Sequence, residues 1–160
     1  MENQIITGLD SYLTFLVGKE KFAVNIGYIK KIIEMVPITR VPHAPDFYPG
    51  VINLFGEVLP VIDGRLKFGL TKKEADENTC IMILMIAMEE GIQNIGMVVD
   101  QVLKVADITE EEMNAAPKGR KRFRVDCIRA VAKVNGEFIL VVDPEKLFSS
   151  DELNPEPIDN

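Results

Sequence analysis

The stretch VINLFGEVLPVIDGRLKF, residues 51–68, returns at residues 131–148 as VAKVNGEFILVVDPEKLF. The offset is 80 residues, half of the 160-residue chain, and six positions are identical. These are Val51, Gly56, Glu57, Val61, Asp63 and Phe68, which recur as Val131, Gly136, Glu137, Val141, Asp143 and Phe148. Each copy predicts a strand, a Gly-Glu turn, a second strand, an aspartate and a short helix. Because half a chain of this length is marginal alone, we predict two small β-barrels related by duplication, which share a buried seam.

The rest of the chain also favours short strands joined by tight turns. Alternating or continuous apolar segments between turn residues predict these strands. In chain order they are 12–17, 22–24, 50–54, 57–62, 79–88, 95–99, 128–134 and 137–142, with 101–105 as either strand or turn. Asn135-Gly136 is the strongest hairpin signal, because this pair suits the two positive φ angles of a type I′ turn.

Helices are predicted to be few and short. Ile26, Ile29 and Ile33 follow an i, i+3, i+7 spacing between charged residues, which predicts a short amphipathic helix over Ile26–Glu34. Further helical turns are predicted at 63–68, at 110–114 and after Asp143-Pro144. Thr109 and Glu112 fit a capping box, so the acidic run that follows Thr109 is interpreted as a helix start and not a metal site.

The charge and the apolar pattern exclude several classes of protein. The chain has 18 basic and 25 acidic residues, a net charge of −7, which argues against general nucleic-acid binding and adhesion to anionic membranes. Its longest apolar run, Cys80–Met88, is much shorter than the roughly 20 residues of a spanning helix. The N-terminus lacks the basic start of a signal peptide, and two cysteines make no disulfide framework. We expect a soluble cytoplasmic protein without membrane insertion.

The residue inventory leaves little for catalysis. His43 is the single histidine, and the serines, Ser11, Ser149 and Ser150, lie near the ends of the chain. Three cysteine and histidine residues in total do not make a zinc site, and no glycine motif for phosphate binding occurs. We therefore predict no enzyme, no catalytic residue, no metal and no cofactor.

Residues 50–65, GVINLFGEVLPVIDGR, resemble the signature of CheW-type chemotaxis coupling proteins, G-x-x-N-L-R-G-x-x-x-P-V-x-D-L-R. The segments GMVVDQV at 96–102 and VDPEKLF at 142–148 also resemble the family, and the likeness extends over about 11–150. The resemblance implies a mainly β fold of two intertwined five-stranded SH3/OB-like barrels packed side by side, with short helices. It implies one domain over 1–150, with subdomains near 15–70 and 76–148 exchanged at their ends, and a flexible tail over 151–160.

The resemblance also implies a function. Members of the family are non-catalytic adaptors of bacterial chemotaxis. The expected partners are the cytoplasmic tip of methyl-accepting chemoreceptors and the regulatory domain of a CheA-type histidine kinase. The expected location is the cytoplasm, with recruitment to receptor arrays at the inner face of the membrane, and we expect a monomer in free solution.

Residue by residue, the resemblance implies a receptor-binding groove between the barrels. Its expected members are Ile29, Ile33, Gly50, Leu54, Phe55 and Val98, with Lys31 and Arg65 as further partner contacts. Each of these residues also has an alternative to a role in receptor binding. The apolar residues could be ordinary core residues, and Gly50 could be required only for a backbone turn. Two departures stand out, since Phe55 replaces the family's arginine and Lys31 replaces a frequent glutamate. We expect a more apolar docking surface at Phe55, unless that ring folds inward.

Three other interpretations stay open. The chain could be an auxiliary CheW-like scaffold outside the main chemotaxis array, for which Phe55 and Lys31 are the reason. Small barrels also bind single-stranded nucleic acid, and residues 118–124 form a basic cluster around Phe123. An enzyme built on distant carboxylates is the third.

Overall fold

The computed structural model describes residues 10–115 and 127–147, and within these ranges the chain is mainly β. The strands, in chain order, are β1 Ser11–Val17, β2 Glu20–Asn25, β3 Ile29–Glu34, β4 Gly50–Leu54, β5 Glu57–Asp63, β6 Cys80–Met88, β7 Gly91–Val99, β8 Gln101–Asp107, β9 Met113–Ala115, β10 Ile128–Val134 and β11 Glu137–Val142. The short helices are α1 Gly64–Lys67 and α2 Pro144–Leu147, with 3-10 turns at Ile26–Tyr28 and Glu110–Glu112. The predicted tail and the basic segment 118–124 lie outside the described residues.

The strands form two sheets that follow one plan. The β1 sheet has the order β8-β1-β2-β11-β10-β9, and the β6 sheet has the order β3-β6-β7-β5-β4. Each combines antiparallel hairpins with one parallel pairing, β2 with β11 in the β1 sheet and β5 with β7 in the β6 sheet. The predicted fold class is confirmed, and the three-residue β9 adds a sixth strand to the β1 sheet.

The sheets exchange strands between the two halves of the chain. After the β1–β2 hairpin the chain crosses to the other sheet, where β3 pairs with β6. After the β6–β7 hairpin it crosses back, and β8 pairs with β1. Each sheet therefore contains strands from both halves, and neither sheet is complete without both.

The predicted helix over Ile26–Glu34 is wrong. Only Ile26–Tyr28 is helical, as a 3-10 turn, and Ile29–Glu34 is strand β3 along β6. The β-branched isoleucines suit a strand. A register shift between Ile29 and Lys31 interrupts the two-residue alternation, so that the apolar positions acquire a spacing that imitates a helix. The predicted helix at 110–114 is likewise a 3-10 turn followed by β9.

The repeated segments adopt the same local structure. The turn residues Asn135 and Gly136 have φ of 51° and 80°, and Phe55 and Gly56 have φ of 50° and 86°. After each hairpin, the side chain of the repeated aspartate accepts a hydrogen bond from a backbone amide of the short helix that follows. The Asp63 carboxylate accepts from the Arg65 amide at 2.9 Å, and that of Asp143 from the Glu145 amide at 3.1 Å. The sequence repeat is thus a structural repeat.

Three apolar clusters hold the molecule together. One lies within the β1 sheet and one within the β6 sheet, and the largest, the seam cluster, contains residues of both. Strand β6 is buried on its two faces, with Ile81 and Ile83 in the β6-sheet cluster and Met82, Leu84 and Ile86 in the seam cluster. This accounts for the continuous apolar run, and for a shared seam of the kind the repeat predicts.

Candidate partner-binding surface

Three of the predicted groove residues meet at one apolar cluster. Ile33 of β3, Leu54 of β4 and Val98 of β7 are half-buried and pack against the β6-sheet cluster of Ile52, Leu59, Val61, Ile81 and Ile83. The side chains reach this cluster because Ile33 pairs with Ile81, and Val98 pairs with Ile81 on the opposite edge of β6. Strands distant in sequence thus place these three residues at the margin of one barrel.

Ile29 lies elsewhere. It begins β3, where it pairs with Leu84, and its half-buried side chain packs against the seam cluster. The register shift that follows Ile29 places it and Ile33 on different clusters. Among the predicted apolar residues, Ile29 is therefore the one that borders the junction between the two sheets.

Gly50 has a backbone role at the start of β4. Its φ is +156°, and a Cβ atom at this position would overlap the carbonyl oxygen of Thr39. Thr39 and Val51 exchange two backbone hydrogen bonds of 2.8 Å, which holds the chain after β3 against β4. A side chain at residue 50 would force these two segments apart.

Phe55 stands at the tip of the β4–β5 hairpin, exposed to solvent. Its side chain is 87% exposed, so the alternative that the ring folds inward is wrong. Its φ of 50° lies in the left-handed region, which is unusual for a bulky residue. The Gly56 amide donates to the Asn53 side-chain oxygen at 3.0 Å, which fixes the turn that presents the ring.

Lys31 and Phe55, the two departures from the family pattern, are in contact. The Lys31 ammonium lies 4.4 Å from the centroid of the Phe55 ring, within the range of a cation–π interaction. Lys31 is on β3 and Phe55 is on the β4–β5 hairpin, so the contact spans from an edge strand to a turn. The resemblance implied a glutamate and an arginine at these positions, whereas the pair here is a cation over an aromatic ring.

Arg65 is engaged within the protein. Its guanidinium lies 2.6 Å from an Asp100 carboxylate oxygen, and its Nε donates to the Thr71 carbonyl at 2.8 Å. The same Asp100 oxygen accepts from the Gly18 amide at 2.6 Å. This network ties α1, the β1–β2 turn and the crossing from β7 to β8 together. Arg65 and Asp100 both lie in segments that resemble the family, but the sequence does not reveal that they form an ion pair.

Several exposed apolar residues were not identified from the sequence patterns. Outside the hairpin tips the described strands expose Ile32, Val58 and Ile92 on the β6 sheet, and Val105 and Phe138 on the β1 sheet. Phe138 has a lysine partner of its own, since the Lys133 ammonium lies 5.7 Å from its ring centroid. Val58 and Phe138 are equivalent positions of the repeat, directly after the Gly-Glu turn and before the buried part of each strand, and that position is the signal that could have identified them.

A cavity of about 400 Å³ lies beside α2 on the β1 sheet. The Arg129 guanidinium crosses it, donating to the Glu110 carboxylate and, at 3.3 Å, to the Tyr12 hydroxyl. Burial, with the nearby carboxylates of Glu145 and Asp143, raises the pKa of the Tyr28 hydroxyl above its usual range. The Arg129 guanidinium is paired with Glu110, and the Asp143 carboxylate accepts the Glu145 amide at the start of α2, so both charged groups serve the local structure.

The described residues offer no further reactive site. No group of three histidine, cysteine, aspartate or glutamate side chains among them could hold a metal ion. His43 is exposed in a loop, and burial raises the pKa of the Cys80 thiol, which keeps it in the less nucleophilic protonated form. The helices of the described ranges are too short to span a bilayer.

Comparison with known proteins gives a consistent result. The model of the CheW-like domain matches residues 11–152. The Chemotaxis protein CheW of Klebsiella aerogenes is 32% identical over 142 residues, covering 89% of this chain and 83% of that protein. That of Rhizobium meliloti is 31% identical over 140 residues, covering 88% of each. The crystal structure of the scaffolding protein TtCheW from Thermoanaerobacter tengcongensis superposes with a TM-score of 0.80 at 26% identity, covering 89% of this chain and 94% of that one.

Proposed function

The chain belongs to the CheW-like domain family, and from that premise we propose that it is a chemotaxis coupling adaptor, which joins chemoreceptors to a CheA-type histidine kinase. The observation that carries this proposal is the match of the family model to residues 11–152, nearly the whole of the paired-sheet fold. An adaptor needs surfaces for partners and a rigid frame between them. The seam cluster, which joins the two sheets, provides such a frame.

The receptor contacts the rim of the β6 sheet. We place the tip of the receptor's helical hairpin along Ile29, Ile33, Leu54, Phe55 and Val98, near the close approach of Thr39 to β4 that Gly50 permits. Helices of this kind bind by laying an apolar face into a groove. Half-buried isoleucine, leucine and valine beside an exposed ring offer this kind of surface. Lys31 supplies a charged contact at the same rim, and Arg65 holds the adjoining α1 in position.

The kinase contact is a docking of barrels. The regulatory domain of the kinase binds this chain barrel to barrel, and the exposed apolar residues on both sheets support such contacts. The chain transforms no substrate and acts through binding free energy and geometry. Receptor signals then change kinase activity only to the extent that the complex binds the active and inactive states with different affinity. The protein works in the cytoplasm, in arrays at the inner face of the membrane.

The other interpretations are not favoured. The net charge of −7 opposes nucleic-acid binding, and the basic segment 118–124 lies outside the described residues. An auxiliary scaffold outside the main array would use the same fold with other partners. The binding experiment below distinguishes this role from the proposed one.

The test is co-sedimentation of the purified chain with receptor signalling fragments and with the kinase regulatory domain from the same source. The proposal predicts that both partners retain the chain. Phe55→Asp, with an unchanged melting temperature, is expected to lose receptor affinity. Phe138→Asp changes another exposed ring, on the other sheet, and should retain receptor affinity. Retention by neither partner would refute the proposal, and full receptor affinity of Phe55→Asp would remove Phe55 from the interface.

A further inference from the structure

No role in folding explains why position 55 is a phenylalanine. A left-handed backbone costs a bulky residue roughly 1–2 kcal/mol, and glycine or asparagine avoids most of this cost. The equivalent turn of the other sheet uses Asn135 at φ 51°, a residue that fits the conformation. With 87% of its surface exposed, the Phe55 ring recovers little through burial. Residues that break a local rule without a packing benefit are often binding residues.

Lys31 determines how the ring is presented. Its ammonium lies over the Phe55 ring at 4.4 Å, and both side chains are exposed. A phenyl ring held by a cation is less mobile than a lone exposed side chain, so less entropy is lost when a partner packs against it. The pair therefore places a positive charge and a flat apolar surface side by side at the rim of the β6 sheet.

The pair carries a positive charge on a chain that is acidic overall. Lys30 and Lys31 are consecutive and exposed on β3. The nearest acidic residue along the hairpin, Glu57, is directed toward β7, where the Asn94 side-chain amide donates to its carboxylate at 3.2 Å. An anionic group that approaches Phe55 therefore meets the lysine ammonium first.

We infer that the Lys31–Phe55 pair is a specificity determinant, which selects a receptor tip that presents a carboxylate next to a large apolar side chain. The carboxylate binds the Lys31 ammonium, and the apolar side chain packs on the Phe55 ring. A tip with a lysine or arginine at the same place is rejected by repulsion from Lys31. This inference rests on the proposed receptor contact, which it deepens by naming the chemistry of the partner.

The experiment is a charge exchange between the full chain and the receptor's cytoplasmic hairpin fragment. Each carboxylate of the fragment tip is changed to lysine in turn, and affinities are measured by titration calorimetry with the unmodified chain, Lys31→Glu and Phe55→Ala. We expect Lys31→Glu and Phe55→Ala each to weaken binding of the unmodified fragment about tenfold or more, as loss of a close charge or aromatic contact does. One lysine substitution in the fragment should weaken binding to the unmodified chain and restore binding to Lys31→Glu.

Lys133→Glu is the matched control, because Lys133 lies over Phe138 in the same kind of pair on the β1 sheet. It makes the same charge change and should leave receptor affinity unchanged. If the unmodified chain binds but Lys31→Glu and Phe55→Ala bind equally well, or if Lys133→Glu weakens binding as much as Lys31→Glu, this inference is overturned and the proposed function stands. If the unmodified chain does not bind the receptor fragment, both are overturned.

Discussion

At the scale of single residues, the binding role proposed for the exposed ring of Phe55 conflicts with stability. The left-handed conformation opposes a phenylalanine, while the cation–π contact with Lys31 returns only about 0.5–1 kcal/mol at an exposed site. Asn135 occupies the equivalent turn without this conflict. The two hairpins of the repeat therefore allow the cost of the ring to be measured within one molecule.

Phe55→Asn should stabilise the protein. Removing the backbone strain gains roughly 1–2 kcal/mol, and losing the contact with Lys31 costs about 0.5 kcal/mol, so the free energy of unfolding should rise by about 1 kcal/mol. Urea denaturation measures this change. Asn135→Phe, the reverse exchange in the other hairpin, should lower the free energy of unfolding. A loss of stability on Phe55→Asn would show that the ring contributes to folding.

Phe55 and Lys31 could each be singled out from the sequence as departures from a family pattern, in which these positions would pair an arginine with a glutamate, but the contact between the lysine cation and the ring could not. The prediction of a helix over Ile26–Glu34 gave Lys31 no defined neighbour on the β4–β5 hairpin. Gly50 could be identified, yet the reason for it, the close approach of the Thr39 carbonyl, depends on chain packing that no local signal encodes.

At the scale of elements, strand β3 and the Arg65–Asp100 network join parts that the chain order separates. Strand β3 pairs with β6 across the 45 residues of chain, 35–79, that lie between them. At the crossing into β8, the Asp100 carboxylate accepts hydrogen bonds from the Gly18 amide and the Arg65 guanidinium. The β3–β6 pairing and the Asp100 hydrogen bonds therefore stabilise the regions where the chain passes from one sheet to the other.

Asp100→Asn should destabilise the fold. The side chains of Arg65 and Asp100 are 18% and 17% exposed, between the surface and buried cases, so loss of the charge should cost about 2 kcal/mol in the free energy of unfolding. Thermal and urea denaturation measure this cost. Lys73→Gln, which removes the exposed ion pair with Asp76, is the control and should change stability little. Equal effects of the two substitutions would contradict the structural role of the network.

Local signals predicted the hairpins well, because turn chemistry and alternation act within a few residues. They failed on β3 because its β-branched residues are arranged around a register shift, which only pairing with β6 reveals. The brief helix predicted after Thr109 was shortened for a similar reason, since Met113–Ala115 pairs with β10. The predicted capping contact is present, with the Thr109 amide donating to the Glu112 carboxylate at 2.9 Å.

At the scale of the whole molecule, the exchange of β3 and β8 makes the two halves dependent on each other. The duplication could be derived from the repeat at 51–68 and 131–148, whereas the exchange of strands was expected only from the family resemblance, since both halves would satisfy the repeat pattern without exchange. The seam cluster adds further contacts between the sheets. Folding of either half alone would expose this cluster and leave two sheet edges unpaired.

Neither half should fold alone. A fragment of residues 1–75 lacks the partner of β3, and a fragment of residues 76–160 lacks the partner of β8. Circular dichroism and amide hydrogen exchange should report each fragment as unfolded, and an equimolar mixture should regain the β signal and the protection of the intact chain. A stable, protected fold in either isolated fragment would contradict the exchanged topology.

Coupling of receptor to kinase is measured by the autophosphorylation rate of the kinase on receptor-bearing vesicles, with and without the chain. We predict that the kinase rate responds to receptor ligand only when the chain is present. We also predict that Lys31→Glu reduces this response, while Lys73→Gln, which removes only the exposed ion pair with Asp76, leaves it intact. A ligand response of the same size without the chain, or none with it, would show that the chain does not couple receptor to kinase.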